Sequence, residues 1–128
     1  MNRKNIWPVT AGFLLLAVLS VAADALLRTF FPGTFGPSGR ILSWLAAVII
    51  LGYGAAFGVL SGYLTARLAA TRPMLHATAL AGILFVFALG GELMSWQSAP
   101  IWFNLGFLAM IFPSAWLGGL LRVRQLRL

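Results

Sequence analysis

The chain reads as an all-α polytopic membrane protein, a bundle of four transmembrane helices with both termini in the cytoplasm. Three observations predict it. Of its 128 residues 61% are hydrophobic and 9% are charged, with a mean hydropathy of +0.95, so too little polar surface exists to cover a water-soluble globule. The apolar residues fall in four long runs separated by short polar breaks, which a bilayer demands and a globular core does not. The nine Lys and Arg gather at the ends of those runs, and mostly on one side.

The first span is expected over residues 6–27, whose 22 residues reach about 33 Å at the helical rise, enough to cross a bilayer. Arg3 and Lys4 ahead of an apolar stretch ending in Val21, Ala22 and Ala23 imitate a secretory signal, but the run is read as a retained span. A turn from Thr29 to Gly39 follows, with Pro32, Gly33, Gly36 and Pro37 breaking the helix and Phe30, Phe31 and Phe35 as interfacial anchors. The second span covers 41–66 without a charge and is long enough to tilt. The third covers 74–96, entered through Arg72 and Pro73. The fourth covers 100–121, opening at Pro100, where a missing N–H costs nothing, and stopped by Arg122, Arg124 and Arg127. Residues 1–128 form a single membrane domain.

With these spans Arg3, Lys4, Arg67, Arg72, Arg122, Arg124 and Arg127 share one face, and Arg28 and Arg40 the other. Positive charge retained in the cytoplasm sets the orientation, in a bacterial inner membrane. Trp7 and Trp116 then fall near the inner boundary, and Trp44, Trp96 and Trp102 near the outer one. The net charge of +7 is spread over helix ends, with no basic face for a phosphate backbone, so nucleic acid is not an expected partner.

Gly54, Gly58 and Gly62 recur every fourth residue in the second span, continued by Ala66 and Ala70. Such a ridge lets another helix approach closely, so that van der Waals contact replaces the hydrophobic drive lipid cannot supply. The neighbour can lie within the chain or in another copy. Ser114 with Gly118, and Ala115 with Gly119, repeat the device in the fourth span, where Pro113 deprives the Ala109 carbonyl of its helical donor.

Charged groups inside spans are costly and are the first functional candidates. Asp24 and Glu92 are the only acids, each 18 residues beyond the start of an outward span, and so share one depth near the outer interface. Arg28 stands four residues after Asp24, in the favourable acid-before-base order, and Arg40 opens the second span on that side. With Gln97 and Asn104 these residues make a candidate polar cluster, read first as an ion-pair latch and second as a substrate or ion site. Tyr53, mid-span beside Gly52 and Gly54, is expected to bond a neighbouring backbone or line a cavity, and Ser20, Ser61, Ser95 and Ser114 to bond between helices. A lone His76 without a second histidine makes no metal site. With no cysteine, no phosphate-binding glycine loop and no nucleophile with its base, neither a cofactor nor enzymatic catalysis is expected.

Asp24, the stretch Gly62-Tyr63-Leu64-Thr65-Ala66-Arg67-Leu68-Ala69, the entry Arg72-Pro73-Met74-Leu75-His76-Ala77, and Pro113 through Trp116-Leu117-Gly118-Gly119 resemble a bacterial family of small, uncharacterised four-span membrane proteins. The resemblance covers most of the chain and implies the fold and no activity. In size and span number the chain is also similar to small multidrug resistance transporters, which use an acid in their first helix for proton-coupled export. It departs from them in placing Asp24 near the outer edge beside Arg28, and in a charge bias that disfavours inverted pairing. Fluoride channels share four short spans, but their characteristic motifs find no place here. The leading expectation is a non-enzymatic accessory or interaction subunit, in contact with the lipid bilayer and with a homo-oligomeric or larger membrane-protein partner. The alternative is a small oligomeric transporter or channel with an outer-face polar site.

Overall fold

The computed structural model describes residues 3–34, 44–69, 71–94 and 96–127. They form four helices, α1 (Arg3–Phe30), α2 (Trp44–Leu68), α3 (Pro73–Met94) and α4 (Ile101–Arg127), with short 3-10 turns at Pro32–Thr34 and Trp96–Ser98. Each helix is long and apolar enough to cross a membrane. Residues 35–43, with Arg40 and the expected start of the second span at Ile41, lie outside the described residues, as do Ala70 and Ser95.

The helices differ from the expected spans at their ends. α3 stops at Met94 and not at Trp96, where the chain turns. α4 opens at Ile101, with the Pro100 carbonyl accepting from the amides of Phe103 and Asn104, each at 3.1 Å. It then runs on past Leu121 to Arg127, because arginine, leucine and glutamine are good helix formers and a charge that ends an apolar span does not end a helix. The turn into α3 is held by Arg72, whose φ of 50° is unusual for a residue with a side chain. Its carbonyl accepts from the amide of Leu75 at 3.1 Å, the amide of His76 at 3.3 Å and the ring Nδ1 of His76 at 2.9 Å. Three bonds to one oxygen hold that backbone in place.

The chain runs up and down, so α2 and α4 are parallel to each other and antiparallel to α1 and α3. Their contact is the most extensive in the bundle, followed by α3 with α4 and α1 with α2. Glycine makes this possible. A methyl added at Gly62 would fall on the carbonyl of Ala115, one at Gly118 on the backbone of Val59 and Tyr63, and one at Gly58 within 2.6 Å of the Ser114 Cβ. Gly54 is looser, facing the end of Met110. The small-residue ridge of α2 therefore packs within the chain, against α4. The second small ridge of α4 divides between neighbours, Ala115 under Gly62 and Gly119 against Ala77 of α3.

Around this contact Leu16, Leu80, Ala81, Leu84, Ile111 and Ala115 form the buried apolar centre. α1 is the least buried helix and packs on α2 and α3. It approaches α2 closely at Gly12, where a side chain would strike Thr65 and the carbonyl of Ser61. That opening lets the Thr65 hydroxyl donate to the carbonyl of buried Pro8 at 2.9 Å. Two of the serines behave otherwise than expected. Ser61 donates to the Gly58 carbonyl at 2.9 Å and Ser114 to the Met110 carbonyl at 2.6 Å, each within its own helix.

Gly62→Leu and Gly118→Leu should each destabilise the protein by about 3 kcal/mol or prevent folding, since a backbone and not a flexible side chain stands in the way. Gly52→Ala, where an added methyl meets nothing, should unfold in detergent as the parent does. Equal thermal unfolding of Gly62→Leu and the parent would show that the helices can separate without loss.

Candidate functional site

The two acids lie toward the end of the bundle opposite the chain termini, and the structure gives them different surroundings. Asp24 is two turns from the end of α1 and Tyr53 two to three turns into antiparallel α2. Helical side chains lean toward the N-terminus of their own helix, so Asp24 leans back into the bundle and Tyr53 leans out toward the connection. They meet. The Tyr53 hydroxyl donates to the Asp24 carboxylate, and the Tyr53 ring packs on Phe57 at 5.5 Å between centroids. A tyrosine–carboxylate hydrogen bond thus joins α1 to α2, where sequence alone suggested a neighbouring backbone or a cavity as the partner of Tyr53.

Arg28 follows one turn after Asp24, near the end of α1, on the exposed surface. Arg40, the other cation of the expected latch, lies outside the described residues. Asn104 is 1% exposed and donates through Nδ2 to the Trp96 carbonyl at 2.8 Å, tying the 3-10 turn to the first turns of α4. Its function here is to hold a turn. Gln97 is exposed in that turn.

Glu92 sits in the last turn of α3 and lines a groove of about 390 Å³ between α1, α3 and α4. Among the described residues its Oε2 is buried and has no hydrogen-bond partner. Ser20 and Phe107 line the groove with it, and Phe13, Leu16, Leu84, Phe87 and Ile111 continue it inward, with the Phe13 and Phe87 ring centroids 5.1 Å apart. Among the described residues the candidates thus supply an α1–α2 contact at Asp24, a turn lock at Asn104 and a groove wall at Glu92.

A second polar group stands at the opposite end of the bundle. Tyr63 of α2 donates to Oε1 of Gln125 of α4, and Nη1 of Arg122 donates to the same oxygen at 2.9 Å. The Arg122 guanidinium also lies 5.9 Å from the Tyr63 ring centroid, within range of a cation–π contact. Arg122, which reads in sequence only as the end of a span, therefore helps to fasten two helices.

Asp24 and Tyr53 test the α1–α2 contact. Hydrogen bonds between membrane helices average about 0.6 kcal/mol, and bonds to charged groups reach about 1.5–3 kcal/mol, so Tyr53→Phe should lower stability by about 1–2 kcal/mol. The readout is unfolding in detergent against the parent. An unchanged midpoint would mean that this bond does not hold α1. Comparison with protein-family models, with curated proteins and with solved structures finds no match for this chain.

Proposed function

We propose that this protein is a non-enzymatic accessory or interaction subunit of the bacterial inner membrane that docks a further transmembrane helix, in the first place a second copy of itself, on α3. In this reading all four helices span the bilayer and both termini are cytoplasmic. The seven-to-two division of cations supports that orientation, and the exposed Trp7, Trp44 and Trp102 near helix ends support the span boundaries. The latch at the outer end rests on Asp24, with Arg28 one turn on along α1 and Tyr53 of α2 as an added member that secures α1.

The observation that carries the reading is an uncovered stripe of short side chains. Thr78, Gly82, Val86 and Gly90 recur every fourth residue along α3, and Thr78, Val86 and Gly90 are exposed. A methyl added at Gly82 or Gly90 would meet nothing. Beside Gly82 a shallow recess is lined by Ala79, Ile83, Val86 and Phe87. Glycine closes α2 on α4 but is left open here, and close helix approach is what such a surface permits. A second reading, a small oligomeric transporter or channel, draws its support from the buried carboxylate oxygen of Glu92 in a groove.

Gly82→Leu should abolish self-association, measured by energy transfer between labelled copies in liposomes, while leaving thermal unfolding of the monomer in detergent unchanged. A parent that stays monomeric in liposomes, or a variant that associates equally well, would contradict the reading.

A further inference from the structure

We infer that the groove between α1, α3 and α4 binds an amphipathic primary ammonium, its cation at Glu92 and its hydrocarbon tail along Phe13, Leu16 and Leu84. The polarity of the groove is the first argument. α1 and α3 run together from the termini end, so Ser20 and Glu92 mark one end of the groove and Phe13, Leu16 and Leu84 the other. A single-chain amphipath has the same division. In the orientation proposed above, its head would stand near the outer interface and its tail would point toward the membrane centre, as a lipid of that leaflet does.

Charge and size supply the rest. Among the described residues Glu92 Oε2 is buried without a hydrogen-bond partner, an arrangement that costs free energy until a donor arrives. A primary ammonium brings three N–H donors and the opposite charge, which an alcohol or a fatty acid does not. Phe107 also lines the groove, and an aromatic face favours a cation, while the paired Phe13 and Phe87 rings, with centroids 5.1 Å apart, wall the tail end. The volume of about 390 Å³ falls within the range of small-molecule sites, and Phe87, 64% exposed, leaves the groove open on its flank for entry from lipid. The ammonium could come from a free long-chain amine or from an ethanolamine phospholipid, since both present the same head.

The test uses the full chain in nanodiscs of phosphatidylcholine, which carries no primary amine, with radiolabelled dodecylamine as the probe and dodecanol as its neutral match. The parent should bind dodecylamine saturably at one site per chain. Glu92→Gln should weaken binding at least tenfold, and Ala17→Phe, which fills the groove without touching the carboxylate, should weaken it as much. Dodecanol should compete at least tenfold less well. Thr78→Leu, on the exposed stripe of α3 and outside the lining of the groove, should bind as the parent does, which separates this site from the association surface. Adding phosphatidylethanolamine to the nanodiscs should raise the apparent Kd for dodecylamine if the lipid is the natural source, and an unchanged Kd assigns the site to free amines. No saturable binding to the parent, equal binding to Glu92→Gln and Ala17→Phe, or dodecanol bound as tightly would overturn the inference.

Discussion

The close backbone approach of α2 and α4 is the constraint on which the rest of the bundle depends. In the membrane placement proposed above, lipid tails are as apolar as leucine, so burying leucine between helices gains little, and contact comes from surfaces that fit. Gly58, Gly62 and Gly118 remove the side chains that would hold the two helices apart, and the carbonyl of Ala115 and the backbone of Val59 and Tyr63 occupy the space. With that pair fixed, Gly119 brings α3 in against Ala77, and the other side of α2 receives α1 at Gly12. The order of packing follows the order of small residues.

Polar contacts then place what the glycine contacts leave loose. Thr65 and Pro8 fasten α1 near its start, and Asp24 and Tyr53 fasten it near its end. Asn104 holds the turn that delivers α4, and Tyr63, Gln125 and Arg122 join α2 to α4 at the termini end. Because α1 rests on α2 and α3 and has little contact with α4, a gap remains beside it. The groove that holds Glu92 is that gap.

Sequence carried the parts of this architecture that repeat along one helix. The four helices are legible because each is a long apolar run of the length that crosses a bilayer, and the Gly54, Gly58 and Gly62 ridge because a spacing of four is the geometry of a helix face. Asp24 and Glu92 stood out as the only acids in apolar surroundings. The partner of Asp24 was not legible, because it depends on the relative height of two antiparallel helices, and no local pattern records that height. Gly12 lacked a repeat to mark it, although its counterpart Thr65 follows Ser61 at the same spacing of four. The distinction between a serine that bonds its own helix and one that bonds a neighbour depends on rotamer and depth, which composition does not hold. The charged end of α4 was read as an ending because hydropathy reports where lipid stops and not where a helix does.

α2 and α4 form one closely packed unit to which α1 is appended. Amide hydrogen exchange of the full chain in detergent, followed by mass spectrometry, reads this directly, because opening free energies rank the elements by how firmly they are held. Residues 58–62 of α2 and 114–118 of α4 should exchange slowest and together, with the amides of α1 exchanging well before them. Exchange of α1 as slow as that of α2, or loss of protection in residues 58–62 while residues 114–118 remain protected, would contradict the account.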